Sequence, residues 1–390
     1  MRILIVPPND WLCHPLSSRL HFIFERLAQN HQVHVINFKV GGFRGKQLRS
    51  TKTHLHDATL IPANDLSAYY VFNAPYHYET IRKVINNSNI EVVVTSNILA
   101  SSIACVVSRR ANKPIVYDYL DHFPDSASLY YKNLGAKTLV KNVVEFLVKA
   151  NFEYVNKVVV PSRSLERMLL TEYDMDQRRL SLIPNGVDLD IFKPRNRIDA
   201  LRRLNRLDLK DYLLLVFVGS LESRFDLETP ILAVSRLAAE GVKLKLLIVG
   251  PELSKYHIYL KKRYSKFACI EFVGYVDSAL VPFYISAADI CLAPYKVMQM
   301  NFSLTLKLLE YLASEKIVLI TDIPDVRKTF EKNVVIYFNS NDLREKILEV
   351  QKNKNEYLLR AKECFKVVSQ YSWDKIASSY EKLLENLVGG

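Results

Sequence analysis

Residues 213–249 contain one full repeat of the pattern that decides the fold. An apolar run at Leu213–Val218 (LLLVFV) is followed by a helical period at Thr229–Glu240 and by a second apolar run at Lys245–Val249 (KLLIV). Unbroken runs of Val, Ile and Leu are typical of parallel strands that are buried on both faces. A strand, a helix and a further strand in this order predict an α/β fold with a parallel sheet.

The same pattern recurs in both halves of the chain. Further helices are predicted at Ser17–Gln29 and Ser303–Ser314. The other predicted strands are Ile3–Val6, Val33–Phe38, Glu91–Thr95, Ile115–Asp118, Lys157–Val160, Leu180–Ile183, Ile270–Val273, Ile290–Ala293, Ile317–Thr321 and Val334–Phe338. We therefore predict two Rossmann-like domains that face each other across a cleft, with the ligand site at the carboxyl ends of their strands.

A chain of 390 residues is too long for one ordinary hydrophobic core. The segment Ile183–Pro194 contains Asn185-Gly186 between two prolines, which is typical of a turn and a hinge. We place the domain boundary there, with a first domain at residues 1–194 and a second that starts at residue 195.

Composition limits the classes of partner. The chain has 53 Lys and Arg against 41 Asp and Glu, a formal charge of +12, which favours an anionic partner such as a nucleotide diphosphate or a membrane surface, unless the charge serves only solubility. Because the basic residues are spread along the chain without a recognition motif, nucleic acid is not expected. Five scattered cysteines show no metal-ligand or disulfide spacing, which indicates a reducing, cytoplasmic compartment and no metal site. No apolar run approaches the ~18 residues of a membrane span.

The first strand is not followed by G-x-G-x-x-G, which argues against a nicotinamide dehydrogenase. The best candidate phosphate site begins instead at Ser303, a reasonable N-cap whose helix would offer free backbone N–H groups to a diphosphate. Lys307 could add a positive charge one turn in. Glu310 lies on the same side and could accept hydrogen bonds from a ribose. The alternative is a capped amphipathic helix whose Lys307 and Glu310 only face water.

Several segments, in the right order, resemble motifs of the family 4 retaining glycosyltransferases, which have the GT-B fold. Leu306–Val318 resembles their K-x-x-E-Y-x-A-x-G-K-P-V-V, and Ile183–Pro194 is similar to their I-P-N-G-V-D-x-x-x-F-x-P. The other similar segments are Phe217–Gly219, Ile248–Pro251, Ile270–Tyr275 and Tyr371–Trp373. The resemblance implies a second domain at residues 195–371 that binds a nucleotide sugar, and a last helix at residues 372–390 that returns to the first domain.

In the second domain the resemblance assigns roles to particular residues. Glu310 matches the second Glu of the family's E-x7-E motif, which holds the donor ribose, whereas Phe302 replaces the first Glu and leaves the donor sugar open. Arg224 is a substitute for the phosphate-binding cations of the family's G-R-L-x-x-x-K-G, with a surface arginine as the alternative. The remaining predicted contacts to the nucleotide sugar are Gly219, Val273, Gly274, Tyr275, Ser303, Leu304, Leu306 and Lys307.

In the first domain, Asp121 and His122 follow a predicted strand and are similar to the family's region beside the reacting carbon. His122 could contact the donor sugar, and Asp121 could orient it or the acceptor; a structural histidine is the alternative. The predicted acceptor-side residues are His14, Ser18 and Arg19, and Arg19 could equally be a helix-surface charge. No metal or further cofactor is expected, because Arg224, Lys307 and the helix N-terminus would neutralise the diphosphate.

Two segments could bring the chain to a membrane. Helix Ala136–Val155 is predicted to carry Lys137, Lys141, Glu145 and Lys149 along one face and Leu139, Val143, Phe146, Leu147 and Ala150 along much of the other. Such a helix can lie on an anionic bilayer, but an apolar face packed in the core is the favoured interpretation. Lys39–His56 is predicted as a basic solvated loop, with contact to an anionic acceptor or lipid headgroup as the alternative.

The sequence therefore predicts a hexosyltransferase. It would move a sugar, with retention, from a UDP- or GDP-linked donor to a glycan or lipid-linked acceptor. The compartment would be the cytoplasm, with peripheral contact at the inner membrane face left open. Two alternatives remain: an epimerase or hydrolase on the same scaffold, and a non-catalytic subunit that binds a nucleotide sugar.

Overall fold

The computed structural model describes residues 1–14, 17–41, 49–129, 131, 133–222, 224–251, 254–296 and 305–389. The contacts divide the chain into two compact units. The first unit consists of Met1–Asn185 together with Trp373–Gly390, and the second unit is Gly186–Ser372.

The described part of the first unit contains a parallel sheet of seven strands in the order β3-β2-β1-β4-β5-β6-β7. The strands are β1 (Arg2–Val6), β2 (Gln32–Asn37), β3 (His54–Asp57), β4 (Val92–Ser96), β5 (Ile115–Asp118), β6 (Lys157–Val160) and β7 (Leu180–Leu182). The helices between them are α1 (Arg19–Leu27), α2 (Leu66–Asn87), α3 (Ala100–Arg110), α4 (Phe123–Ser128), α5 (Leu134–Tyr154) and α6 (Arg163–Glu172).

The second unit has a parallel sheet of six strands in the order β10-β9-β8-β11-β12-β13. Its strands are β8 (Leu213–Val218), β9 (Leu244–Val249), β10 (Ile270–Gly274), β11 (Ile290–Ala293), β12 (Ile317–Thr321) and β13 (Val335–Tyr337). Its helices are α7 (Arg197–Arg203), α8 (Glu228–Ala239), α9 (Lys255–Tyr264), α10 (Val281–Ala287), α11 (Leu306–Ala313), α12 (Pro324–Phe330), α13 (Ser340–Lys352) and α14 (Lys354–Val368). The chain's last helix, α15 (Trp373–Val388), packs on α1 of the first unit.

Both sheets have doubly wound topology, and this confirms the predicted class of two Rossmann-like domains. The strand order reverses between β1 and β4 in the first unit and between β8 and β11 in the second. In such sheets ligands bind outside the carboxyl ends of the strands at this point. We therefore expect the ligand site of the second unit to lie at the segments that follow β8 and β11.

The boundary between the units lies earlier than the predicted residue 194. Val187 donates its backbone N–H to the carbonyl of Tyr371 at 2.8 Å and forms an isolated bridge with Ser372. Leu189 and Phe192 pack against the core of the second unit. The hinge sequence after Asn185 thus belongs to the second unit, because its apolar side chains are buried there.

The prediction of one long basic loop at residues 39–56 was wrong at its end. Residues 54–57 (HLHD) form strand β3 at the edge of the sheet, where they pair with β2 alone. This edge strand contains no run of Val or Ile, so the apolar pattern that predicts the other strands is missing from its sequence. The part of the loop at residues 42–48 lies outside the described residues.

Helix α5 does not bury the apolar face that was predicted for it. Val144, Val148 and Phe152 are the buried apolar residues of this helix, whereas Leu139, Val143 and Phe146 are exposed. The favoured interpretation of a core-facing stripe is therefore wrong for these three side chains.

Among the residues that the structure describes, none of the helices combines the length and the apolar composition that a membrane span requires.

Candidate functional site

Two glycines bring the ends of β8 and β9 into close contact. Gly219 follows β8 and donates its N–H to the carbonyl of Val249 at 2.9 Å, and its φ of +150° favours glycine. A Cβ on Gly250 would lie 1.8 Å from the carbonyl oxygen of Gly219, so no side chain fits there. Gly250 in turn donates to the carbonyl of Gly274 at 2.9 Å. These contacts hold the ends of three neighbouring strands together.

Lys307, in the first turn of α11, reaches over this glycine pair. Its Nζ lies 3.8 Å from the ring centre of Phe225 and 3.9 Å from that of Phe217. The Nζ is buried and has no hydrogen-bond acceptor among the described residues. A Cβ on Gly219 would lie 2.5 Å from this nitrogen. The alternative in which Lys307 merely faces water was therefore wrong.

The electrostatics of Lys307 are unfavourable to a cation. Burial lowers the pKa of the Lys307 ammonium well below its ordinary value, and the nearby charge of Arg224 lowers this pKa further. The carboxyl groups of Glu310 and Glu222 act in the opposite direction. The aromatic faces of Phe217 and Phe225 attract the ammonium but cannot accept its three N–H bonds as oxygen atoms would.

Glu310 lies one turn further along α11. Burial raises the pKa of its carboxyl group to about 7, and Lys307 acts against this rise. The carboxyl group is therefore about half ionised at neutral pH. The residue is partly exposed, so its carboxyl group can accept a hydrogen bond from a ligand.

Arg224 carries the second cation of this site. Its Nε lies 3.0 Å from Oε2 of Glu222, and its side chain is partly exposed. Lys307 and Arg224 are thus two like charges brought together at the carboxyl end of β8. An anion bound between them would relieve their repulsion, and a diphosphate accepts several charge-assisted hydrogen bonds.

The start of α11 differs from the prediction. The helix begins at Leu306 with Thr305 in the N-cap position, so the prediction of Ser303 as the N-cap was wrong. Thr305 makes no side-chain cap, and its hydroxyl group instead hydrogen-bonds with that of Tyr295. Ser303 and Leu304, like Phe302, lie outside the described residues.

The end of β10 supplies the other predicted contacts of this unit. Val273 is half-buried, Gly274 is buried with a φ of +83°, and Tyr275 is exposed. The ring of Tyr275 is thus accessible for stacking. Three aromatic residues that surround the Lys307 ammonium could not be predicted from the sequence, because nothing in their spacing points to a cation. They are Phe217, Phe225 and Tyr295.

In the first unit, Arg19 is buried and does not lie on the helix surface. Its side chain is buried, its Nε lies 3.6 Å from Oδ2 of Asp118, and it donates to the carbonyl of Ile183 at 2.7 Å. Burial raises the pKa of Asp118, and Arg19 acts against this rise. Arg19 is therefore not a surface charge, whereas its contact with an acceptor stays a prediction.

The two other predicted acceptor-side residues also have local partners. Ser18 is the N-cap of α1, and its hydroxyl group accepts the backbone N–H of His21 at 3.3 Å. His14 lies in the turn after β1, where its N–H donates to the carbonyl of Asp10 at 3.3 Å. Both residues belong to the first unit, whereas Lys307 belongs to the second.

His122 and Asp121 lie at the carboxyl end of the first unit's sheet. Both ring nitrogens of His122 have protein partners, since Nδ1 lies 2.7 Å from Asp125 and Nε2 lies 3.0 Å from the hydroxyl group of Tyr173. Asp121 is exposed and accepts a hydrogen bond from the side chain of Asn97 at 2.7 Å. Asp121 is thus the more accessible of the two to a ligand.

Comparison with known proteins identifies both units. Residues 18–191 match the model described as Glycosyltransferase Family 4, and residues 213–353 match the model described as Glycosyl transferases group 1. The chain belongs to the family 4 glycosyltransferases. The resemblance that was inferred from the sequence motifs is thereby confirmed.

Individual relatives are distant. A D-inositol 3-phosphate glycosyltransferase of Geodermatophilus obscurus is 32% identical over 90 residues, which are 23% of this chain and 20% of that protein. The match therefore spans only about a fifth of the curated relative.

Solved structures resemble the whole chain of this glycosyltransferase. Sucrose-phosphate synthase of Thermosynechococcus elongatus has a TM-score of 0.77 at 18% identity, with 100% of both chains covered. Anabaena HepE in complex with UDP-glucose has a TM-score of 0.74 at 13% identity, over 99% of this chain and 100% of that one. WaaG, a glycosyltransferase involved in lipopolysaccharide biosynthesis, has a TM-score of 0.72 at 15% identity, over 100% of both chains. These likenesses confirm the predicted GT-B type of fold.

Proposed function

We propose that this glycosyltransferase moves a hexose-type sugar from a UDP- or GDP-linked donor to a glycan or a lipid-linked acceptor, with retention of configuration. The observation that carries the proposal is the buried Nζ of Lys307, which lies beside Arg224 and has no hydrogen-bond acceptor in the part of the chain that the structure describes. Of the two donor bases, uracil is favoured, because the structurally similar HepE binds UDP-glucose.

The cation pair suits the chemistry of a departing diphosphate. As the bond between the sugar and the phosphate breaks, negative charge builds up on the leaving group, and fixed donors at that place stabilise the transition state. Lys307 is already desolvated, so its attraction for an anion is stronger than it would be in water. Because Lys307, Arg224 and the N-terminus of α11 supply positive charge, the proposal needs no metal ion and no cofactor other than the nucleotide sugar.

The remaining residues of the second unit would hold the nucleoside. Glu310 would accept hydrogen bonds from the ribose hydroxyl groups when its carboxyl group is ionised. The exposed ring of Tyr275 would stack on the base, next to Gly274. Leu306, at the first position of α11, would offer its backbone N–H to the diphosphate.

In the first unit, we propose that Asp121 contacts the acceptor or the donor sugar, because its carboxylate is accessible at the end of the sheet. We propose that His122 positions neighbouring groups and does not itself contact the substrate, because both of its ring nitrogens are hydrogen-bonded to protein groups. A lipid-linked acceptor would bring the enzyme to the cytoplasmic face of a membrane.

Calorimetric titration with UDP, GDP, ADP and CMP tests the proposal. We expect the wild type to bind one of these nucleotides, and Lys307→Met and Arg224→Met each to weaken that binding at least tenfold. Lys316→Met is the matched control, because Lys316 is a second buried lysine, whose Nζ donates to the carbonyls of Ser286 and Ala288. It should keep the wild-type affinity.

The outcome separates the proposal from its alternatives. Absence of nucleotide binding in the wild type would refute the proposed donor site. If the donor binds and is consumed without any acceptor, the enzyme is a hydrolase or epimerase. If it binds and no acceptor extract yields product, the chain is a binding subunit.

A further inference from the structure

Helix α5 has an apolar stripe on its solvent side, which we call the α5 stripe. It consists of Leu139, Val143 and Phe146, which are four and three residues apart and therefore share one side of the helix. Leu134 at the start of the helix and Leu129 just after α4 are exposed apolar residues near it in the chain. The exposed fractions are 65% for Leu139, 48% for Val143, 71% for Phe146, 78% for Leu134 and 68% for Leu129. In a globular protein the apolar side of a helix normally faces the core, so such a stripe on the outside points to a partner.

The other sides of α5 are already committed to contacts within the first unit. Phe152 packs edge-on against the rings of Tyr117 and Tyr119, at 5.9 Å and 5.5 Å between ring centres. Asn151 donates to the hydroxyl group of Ser101 at 3.0 Å. A rotation that buried the stripe would break these contacts, so its exposure follows from the packing of the helix.

The polar side of α5 is held in the same way. Lys141 forms an ion pair with Asp125 at 2.6 Å, and Glu145 accepts a hydrogen bond from Tyr173 at 2.8 Å. The helix thus turns its charged residues toward the His122 cluster and its large apolar residues toward solvent. The helix therefore has two apolar sides: one with Val144, Val148 and Phe152 is buried, and the α5 stripe is exposed.

We propose that the α5 stripe is a contact surface for an anionic lipid bilayer. With a formal charge of +12, the chain is attracted to anionic lipid and repelled by a second copy of itself. Lys149 lies one turn beyond Phe146 at the edge of the stripe; it is exposed and pairs with Glu145 at 3.2 Å, and its long side chain adds positive charge close to where lipid headgroups would lie. From Leu139 to Phe146 the stripe is about 10 Å long, at ~1.5 Å per residue. A row of separate protruding side chains of this kind is typical of helices that lie in the membrane interface.

The position of the stripe fits an acceptor that is anchored in lipid, and in this respect the inference rests on the proposed function. Helix α4 starts directly after His122, so Asp121 and Leu129 lie at the two ends of one short helical segment. A bilayer in contact with the stripe would therefore lie near the carboxyl end of the first unit's sheet.

Vesicle sedimentation without any nucleotide tests the proposal. The full chain is mixed with vesicles of phosphatidylglycerol and phosphatidylcholine in equal parts, or of phosphatidylcholine alone. We expect the wild type to sediment with the anionic vesicles at least tenfold more than with the neutral ones. Leu139→Ser/Phe146→Ser should lose at least nine-tenths of that binding, because two of the inserted side chains become polar.

The matched control is Ile258→Ser/Leu359→Ser, which removes two similarly exposed apolar side chains from the second unit and should bind vesicles like the wild type. All variants should keep the nucleotide affinity of the wild type, so that loss of lipid binding is distinguished from failure of the donor site. Wild type that stays in the supernatant, or a stripe variant that sediments like wild type, would overturn the proposal. So would a stripe variant that turns a dimer into a monomer, since the stripe would then bind a second copy.

Discussion

At the residue scale, the site is organised around the ammonium of Lys307. Removing a charged group from water is costly unless the protein supplies hydrogen-bond partners, and Lys307 has two aromatic faces instead. The geometry that places it there depends on Gly219, because any side chain at that position would overlap with the Lys307 nitrogen. In the free protein, burial disfavours the ammonium form of Lys307, and a bound anion would stabilise that form.

Gly219→Ala tests this dependence. The added methyl group must displace the Lys307 ammonium and must also adopt an unfavourable φ, so we expect nucleotide affinity to fall at least tenfold. Gly241→Ala is the control, because Gly241 also has a positive φ, of +86°, but a Cβ there meets nothing within 4 Å. Calorimetry and thermal unfolding of both variants separate the two effects. Equal losses of affinity in both would contradict a specific role for Gly219.

Glu310→Gln should stabilise the protein and weaken nucleotide binding. Burial raises the folded-state pKa of Glu310 to about 7, above its ordinary value of 4.5. The folded protein therefore favours the protonated form, and stability is lost as the pH rises from about 4.5 to 7. At pH 8 the neutral glutamine removes this cost, so we expect a higher unfolding midpoint, by roughly 2–4 °C for each kcal/mol gained.

Nucleotide affinity should also depend on the ionisation of Glu310, but it should increase with pH, whereas stability decreases. Because only the carboxylate accepts hydrogen bonds from both ribose hydroxyl groups, wild-type affinity should increase as the pH rises through about 7. Titrations between pH 6 and pH 8 should show this increase for the wild type and a flat, weaker profile for Glu310→Gln. A variant that binds like the wild type at pH 8 would show that Glu310 does not hold the ribose.

At the element scale, a buried ion pair joins α1, β5 and the end of β7. Arg19 comes from α1, Asp118 ends β5, and Ile183 directly follows β7. Tyr380 of α15 approaches the same carboxyl group and acts with Arg19 against the rise that burial causes in the pKa of Asp118. The pair therefore fixes the last helix and the start of the hinge to the first unit's sheet.

Arg19→Met should be strongly destabilising. It leaves the carboxylate of Asp118 buried without its cation, a change that typically costs about 3–5 kcal/mol. Arg19→Met/Asp118→Asn should recover part of the loss, because no uncompensated charge then remains. Urea unfolding measures both variants. If Arg19→Met unfolds like the wild type but shows an altered KM for acceptor, the residue contacts the acceptor after all.

The edge of the first sheet shows why some elements escaped prediction. His34 of β2 stacks on His54 and His56 of β3, with ring centres 5.0 Å and 5.2 Å apart. The strand is held by imidazole stacking and by backbone bonds to a single neighbour, so its sequence lacks the Val and Ile run of the central strands. Its pairing becomes evident only when both strands are seen together.

At the scale of the whole molecule, the two units should respond differently to acid. Burial is the main cause that lowers the pKa values of His21, His34 and His77 to about 4, and all three lie in the first unit. For His34 the neighbouring His56 and His54 lower the pKa further. These imidazoles are neutral in the folded unit at pH values where they would be half charged in the unfolded chain.

Stability of the first unit should therefore fall as the pH drops from about 6.5 to 4, the range in which the unfolded chain binds more protons. The second unit contains a single histidine, His257, and the raised pKa of its Glu310 acts in the opposite direction, so this unit should not lose stability over this range. Urea unfolding followed by hydrogen exchange at pH 7.5 and pH 5 can monitor each unit. We expect first-unit amides to lose protection at pH 5, and His77→Leu to reduce that loss. Equal sensitivity of both units would contradict this account.

Much of the fold follows from local pattern. Leu213–Val218, Ile290–Ala293 and Ile317–Thr321 form strands at the predicted bounds, because unbroken apolar runs are stable only between two helical layers. The spacing of Lys307 and Glu310 is equally local, since residues three apart share one side of a helix. The family motifs depend on such short segments, and for that reason they pointed to a glycosyltransferase without any coordinates.

Other properties depend on contacts between residues that are far apart in the chain. Arg19 is buried because Asp118 and Ile183 meet it, and the hinge joins the second unit because Val187 pairs with Ser372. The rotation of α5 is another such case: its sequence has two candidate apolar faces, and packing against Tyr117 and Tyr119 selects the one that contains Phe152. A periodic pattern specifies that a helix is amphipathic, but which face is buried is decided by the surfaces that the rest of the chain presents to it.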